Sequence, residues 1–425
     1  MCKNKERDGK LKWNFTMGVL HGTFFSGGLA FGNPDTILPV FLNHLTESKI
    51  LIGLASTVTG SLGSIASVLP QLFVASRLET KVYKRPLLRI AITIRALCWG
   101  VLALMTYLCA VSHPDLVLFS LFFLLILFAL MGGVANIPFM DIWAKSIPAT
   151  LRGRFFGFRQ FFGGVLAIGS GFSAKYILGN KGIQFPHNFS ILFFCAFGLM
   201  GISYLALGSV REPVEQVHKT HLGFHEFLKK ALRILKSDSN YRSFLLVEIC
   251  IGASNIALPF YVLYARDVLK IELGMVGVFL AARMTGSALS NFIWAYISDF
   301  AGNRKVLQIS ALLALTVPLL ALLIPPELSA LFVLLFFCVG VFSAGYVIGK
   351  INYLLEIAPQ KDRAAYISLN GTLFFPVTLF PLLGGVIVEY ISHTFLFIIT
   401  VSAVLLGFVL SLRLNEPRKP QGDNT

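Results

Sequence analysis

Apolar runs of about 20 residues recur along the whole chain, and at about 1.5 Å of rise per residue each can cross the hydrocarbon core of a bilayer as a helix. Windows of that length give about twelve runs, near residues 14–41, 51–75, 87–110, 116–140, 156–178, 189–209, 243–264, 274–296, 306–324, 329–354, 365–388 and 393–412. One such run would fit a buried core helix equally well. Twelve exceed what a water-soluble core encloses, so the expectation is an all-α membrane protein with twelve transmembrane helices. Charge content agrees: 13% of the 425 residues are charged, against about 25% in ordinary soluble chains. The first run follows MCKNKERDGKLKW, is too long for the apolar core of a signal peptide and is followed by no small-residue cleavage site, so a retained anchor is expected.

A net charge of +15 raises nucleic acid as a partner, but the placement of the charge argues for lipid instead. With the N-terminus inside, about 28 of the 36 Lys and Arg fall in the tails and loops of one side. Lys49, Lys175, Lys181, Arg266 and Lys270 occupy the other side, while Arg95, Arg283 and Lys350 lie inside runs. This positive-inside asymmetry predicts cytoplasmic tails at 1–13 and 413–425, a basic face against anionic lipid, a plasma-membrane location and no nucleic-acid partner. Cys2, Cys98, Cys109, Cys195, Cys250 and Cys338 are scattered without a C-x-x-C pair, which suits small core residues and indicates neither disulfides nor a metal.

The longest loop, 210–242, separates a six-run half at 14–209 from another at 243–412. Within it FHEFLKKALRILKSD places Phe224, Phe227, Leu228, Leu232 and Leu235 on one stripe and Lys229, Lys230, Arg233 and Lys236 elsewhere, the pattern of a helix lying on the inner leaflet. His218, His221 and His225 have no carboxylate or thiolate partner at matching spacing, so no metal site is expected there. The halves echo each other. ILPVF (37–41) matches ALPFY (257–261) at an offset of about 220, which also aligns Glu79, Lys84 and Arg85 with Asp299, Arg304 and Lys305. IPATLRGRFFGF (147–158) aligns with APQKDRAAYISL (358–369) at an offset of about 211, pairing Pro148 with Pro359 and Arg152 with Arg363. Duplicated halves related by an axis along the membrane normal are a transporter architecture.

The stretch SDFAGNRKVL (298–307), with its acidic residue, Gly302 and basic pair, resembles the loop signature of the major facilitator superfamily. The proline followed by Arg-Gly in IPATLRG resembles that family's landmark at the start of its fifth helix. The likeness runs from about residue 14 to 412 and implies the twelve-helix, two-half fold of that family. In the family the acidic loop residue of one half rests against the start of helix 5 or 11 of the other. Carried over, Asp299 meets the Arg152–Arg154 corner and Glu79 the corner at Arg363, a latch that closes the inner side with help from the helix-start dipole. The alternative is that these arginines are membrane-surface anchors only. The first-half copy, SRLETKVYKRPL (76–87), lacks the glycine and carries Glu79 where aspartate is usual. The fifth run also lacks the Gly-Pro pair of the family's drug antiporters, and its Gly163, Gly164, Gly169 and Gly171 suit close packing.

Ionisable groups inside apolar runs are costly and are functional candidates by default. Glu248 and Lys350 each lie about 10 Å in from the cytoplasmic end of their runs. In the resembled family helices 1, 4, 7 and 10 line the cavity, which makes a Glu248–Lys350 pair geometrically possible; binding a charged substrate, exchanging a proton and a purely structural pair stay open. Arg283, near the middle of its run, is a cavity candidate, whereas Arg95 is expected to be structural. His21 and Asp35, fourteen residues apart, would share a helix face, and FGNPD around Asp35 should kink that helix because Pro34 removes a donor and Gly32 is permissive. Asn255 is the second-half counterpart of Asp35, and Asn136 is a further hydrogen-bonding candidate. Arg159 and Gln160 have no counterpart and belong either to packing or to the cavity.

No phosphate loop, zinc-protease motif or nucleophile elbow occurs, so no cofactor and no catalytic residues are expected. The expected function is secondary active transport of a small-molecule substrate by alternating access, coupled to protons, to another ion or to the substrate gradient, by a protein functional as a monomer. A membrane sensor or receptor without flux is the alternative.

Overall fold

Helices that stop where proline, glycine or asparagine interrupts an apolar pattern account for almost all of the described chain. The computed structural model describes residues 2–59, 85–212, 233–359 and 362–417. Ten of its helices are long and apolar enough to cross a membrane. They form a multi-pass, all-helical membrane fold. Aromatic and aliphatic side chains stand out from several of them, with Phe119 71%, Leu205 76%, Phe292 72% and Phe300 77% exposed. In water that surface would aggregate; in hydrocarbon it is the face a membrane helix presents.

The first expected span is two helices, α1 (Cys2–Phe31) and α2 (Ile37–Leu45), and the second is described only over α3 (Lys49–Thr59). Then follow α4 (Arg85–Cys109), α5 (Pro114–Ser146), α6 (Ala149–Gly179) and α7 (His187–Gly208). The second half comprises α8 (Ser239–Gly252), a 3-10 turn (Ala253–Ile256), α9 (Leu258–Asp267), α10 (Met275–Ala301), α11 (Asn303–Leu323) and α12 (Phe332–Ile357). It ends with α13 (Arg363–Phe374), α14 (Phe380–Tyr390) and α15 (His393–Ser411).

The chain divides into two compact units, Met1–Lys219 with Lys270–Ala281 and Thr220–Leu269 with Ala282–Thr425. Within the first, α1 packs along α6 and α7, and α4 along α5 and α7. Within the second, α8 packs along α15, and α11 along α12 and α15. First span with sixth, third with fourth and third with sixth are the same pairings in both units, so the sequence repeat is matched by a packing repeat. The Lys270–Ala281 segment belongs with the first unit because α6 offers it glycine: a Cβ on Gly171 would lie 2.7 Å from the Ala281 backbone nitrogen. Gly163 is likewise tight against Ser26 of α1, whereas Gly169 has open space and serves no packing contact.

The break in the first span falls at FGNPD. The Asn33 side chain accepts hydrogen bonds from the Asp35 backbone and the Thr36 hydroxyl, both at 3.0 Å, a turn that replaces the helical bonds Pro34 cannot make. The second unit breaks at the matched place, where α8 tightens into the 3-10 turn holding Asn255. Three expectations need correction. His21 and Asp35 do not share a continuous face, because α1 stops at Phe31 between them. The fifth span starts at Ala149 rather than near Arg154, so its unpaired N–H groups lie about a turn earlier than expected. The described end of the amphipathic stretch, 233–237, is helical and buries Ile234 in the core of the second unit with Leu235 packed against it. His218, His221 and His225 lie outside the described residues.

Candidate functional site

The second unit holds a buried ion pair. Lys350 of α12 points its Nζ at Glu248 Oε1 of α8 at 3.4 Å, with Glu248 1% exposed. Asn370 of α13 donates to the other carboxylate oxygen at 2.9 Å, and the Tyr346 hydroxyl donates to the Glu248 backbone carbonyl at 2.9 Å. The ammonium also sits over the Phe374 ring at 4.2 Å. Each carboxylate oxygen thus meets a donor, Oε1 one from α12 and Oε2 one from α13, which is what makes a buried carboxylate tolerable. Glu248 lies nine positions into α8, about 14 Å of helix, because α8 begins at Ser239. The α8 start is itself fixed by Asp238, which accepts from the Tyr241 backbone at 2.9 Å and from the Tyr366 hydroxyl of α13 at 2.6 Å.

The first unit holds a different arrangement around His21. That imidazole, 5% exposed, has its Nδ1 2.6 Å from the Ser203 hydroxyl, which in turn donates to the His21 carbonyl at 2.8 Å. Rings of Phe25, Phe139 and Tyr204 surround it with centroids 5.6–6.1 Å away. Two guanidinium groups flank this aromatic shell. Arg95 of α4 lies over Phe128 at 4.1 Å and reaches Phe25 and Tyr204. Arg159 of α6 lies among Phe139, Trp143, Phe155 and Phe156 at 5.3–5.8 Å. A cation over a ring gains about 0.5–2 kcal/mol, less than the cost of holding an unneutralised guanidinium at depth in a bilayer. Among the described residues neither arginine has a carboxylate partner.

The remaining candidates are placed as follows. Asn136 is exposed on α5, on the stripe of Gly132 and Phe139 at helical spacing. Asp35 and Asn255 are half-buried in the two matched helix breaks, and Arg283 is half-buried on α10. Among the gate candidates, Arg152, Arg154, Asp299, Lys305 and Arg363 are exposed, and Arg152 Nε donates to the Ile147 carbonyl at 3.1 Å. Gly302 takes φ 85° between α10 and α11, a conformation that only glycine adopts cheaply. Arg304 donates to the Leu412 carbonyl at 2.8 Å, and Arg85 with Arg89 to the Gly208 carbonyl at 3.2 and 2.7–3.0 Å. Both therefore cap the last helix of their own unit, where a cation meets the negative end of the helix dipole. Glu79 and Lys84 lie outside the described residues.

Asn370, Tyr346 and Phe374, like Ser203 and Tyr204, were not among the sequence candidates. Asn370 had a readable signal, a polar side chain within an apolar run; the aromatic residues had none, since rings are everywhere in this chain.

A repeated helical scaffold with charge held between helices is the layout of a multi-pass membrane transporter rather than an enzyme. Residues 244–425 match the family model of the Major Facilitator Superfamily. The second half is therefore similar in sequence to that superfamily, and the chain as a whole has the fold of the multi-pass membrane transporters. Solved structures similar over nearly the whole chain include a mutant of the nucleoside transporter NupG (TM-score 0.70, 14% identity, 95% of this chain and 99% of that one). A D-xylose-proton symporter is similar with TM-score 0.68 and 16% identity over 95% of this chain and 98% of that one. A POT family transporter in complex with 5-aminolevulinic acid gives TM-score 0.68 and 14% identity over 94% and 96%. No curated protein matches the sequence.

Proposed function

We propose that the chain is a secondary active transporter that moves a small solute by alternating access, driven by protons, another ion or the solute gradient. The observation that carries this reading is the Glu248–Lys350 pair, buried between helices and completed by Asn370. A carboxylate held this way in a membrane protein either meets a charged group of the solute or exchanges a proton with it. The matched breaks at Asp35 and Asn255 support a solute path near the middle of the spans, since discontinuous helices present free backbone groups there. His21, Asn136 and Arg283 complete the candidate solute-contacting set. Nucleosides and D-xylose, named for two similar structures, are the first solutes to try.

Gating belongs to the same reading, with Asp299, Arg152, Arg154, Arg363, Arg85, Gly302, Arg304 and Lys305 as candidate gate residues of the inner side and Glu79 and Lys84 as candidates from the sequence alone. The tails face the cytoplasm, the protein acts as a monomer, and the plasma membrane is its location. The test is uptake into proteoliposomes of solutes first selected by thermal shift, with and without a pH gradient. Gradient-driven accumulation should disappear in Glu248→Gln while exchange of solute across the membrane persists. Unchanged accumulation in that variant removes Glu248 from coupling, and accumulation indifferent to pH removes protons. For the gate, Asp299→Asn should increase the labelling of inner-side cysteines, and an unaltered pattern would remove Asp299 from it.

A further inference from the structure

Four buried polar atoms around His21 and Arg159 lack partners among the described residues, the Trp143 indole Nε1 being one of them, and all four are hydrogen-bond donors. Arg95 Nε, Arg159 Nη1 and the Tyr204 hydroxyl are each buried and unpaired among the described residues, and Tyr204 is only 6% exposed. Buried donors normally find acceptors, and two guanidinium groups near one imidazole normally find a carboxylate. Among the described residues none supplies one. The scaffold also makes room for the guanidiniums. A Cβ on Gly22 of α1 would lie 2.6 Å from Arg159 Nε, and one on Gly132 of α5 3.2 Å from Arg95 Nη1. Each arginine therefore passes over a glycine of a neighbouring helix, stacked on rings and short of an anion.

We propose that Arg159, Arg95 and Tyr204 form a binding site in the first unit for the anionic group of a small organic solute, with Phe139 and Trp143 receiving its apolar body. The site rests on the reading of the chain as a transporter in one respect only, that the bound anion is the solute carried. A guanidinium matches a carboxylate or sulfonate with paired N–H donors, and the aromatic faces favour a flat or apolar body beside the charge. A cationic solute is repelled by the two arginines, and a neutral one leaves their charges uncompensated.

The full chain in phosphatidylcholine nanodiscs, at fixed ionic strength, is titrated with benzoate, benzenesulfonate, benzamide, benzamidine and inorganic phosphate. Tryptophan fluorescence, to which Trp143 contributes from beside Arg159, and the thermal midpoint are both read. Benzoate should bind at least tenfold tighter than benzamide and raise the midpoint, and benzamidine should not bind. Arg159→Gln and Arg95→Gln should each weaken benzoate at least tenfold, and Tyr204→Phe severalfold. Equal binding of benzoate and benzamide in the unaltered protein overturns the proposal without reliance on any variant. Benzoate binding that survives both arginine substitutions does the same. Phosphate binding as tightly as benzoate overturns the organic-solute assignment, and displacement of benzoate by phosphatidylglycerol in the disc assigns the site to a lipid headgroup instead. Anion binding without flux in proteoliposomes rejects the transport reading and leaves this site standing; flux of an uncharged solute without anion binding does the reverse.

Discussion

The two units share a scaffold and differ in charge. Each pairs its first span with its sixth and its third with both fourth and sixth, breaks its first span just before a Leu-Pro step, and caps its last helix with an arginine. Yet the second unit neutralises its buried ammonium with Glu248, whereas the first holds Arg95 and Arg159 among rings, with no acid beside them among the described residues. Helix packing tolerates little change in shape. The polar atoms inside it are free to diverge as long as each charge is paired, stacked or met by a ligand. The comparison therefore separates what the duplication supplied from what each unit acquired on its own.

The largest expected effect breaks that comparison if it fails. Lys350→Met leaves the Glu248 carboxylate buried without its cation and should destabilise the purified protein by about 3–5 kcal/mol. Arg159→Gln removes a charge that has no partner to strand and should change stability by less than about 1 kcal/mol. Similar losses in thermal unfolding for the two variants would mean that the charge environments do not differ as described. In the double variant Glu248→Gln with Lys350→Met stability should return, because neither charge remains, while gradient-driven uptake stays absent.

Two intermediate effects sharpen the comparison on the side of the second unit. Asn370→Leu removes the donor to Glu248 Oε2 and should cost about 1–3 kcal/mol, seen as a lower unfolding midpoint. Gly302→Ala forces a side chain into φ 85°, ψ 160°, a region that is essentially glycine-only and worth about 1–3 kcal/mol. The first-unit counterpart loop has no glycine, so the same scan across 76–84 should show no position of that sensitivity. The smallest effects should be alike in both units: Arg85→Gln and Arg304→Gln each weaken a helix-end interaction worth about 0.3–1 kcal/mol. A much larger loss for one of them would show that it does more than cap its own unit.

Much of the scaffold was legible because it is written in local pattern. Apolar length located the spans, and FGNPD announced the break, since a proline cannot donate and an asparagine side chain can close the turn in its place. The echo of ILPVF in ALPFY placed the corresponding break by repetition. The start of α6 was misplaced by about a turn because FFGFRQFF begins the apolar pattern later than the hydrogen bonds begin the helix. The candidate site was legible in half. Glu248 and Lys350 stand out as charges in apolar runs, whereas Asn370, which completes their pair, carries only the weaker signal of an amide in such a run.

By itself the sequence determined that the chain lives in a membrane, that it is all helical and that it consists of two related halves. Those properties follow from hydrophobic length, charge asymmetry and repetition, each of which is summed along the chain. Only the tertiary structure decided which charges meet and which stay apart. A helix that is apolar on every side carries no periodic signal of which face turns inward, and each residue turns the face by about 100°. Glu248 finds Lys350 and Asn370 from helices more than 100 residues away in sequence, and Arg159 finds, among the described residues, rings and a glycine, because packing rather than pattern sets those rotations.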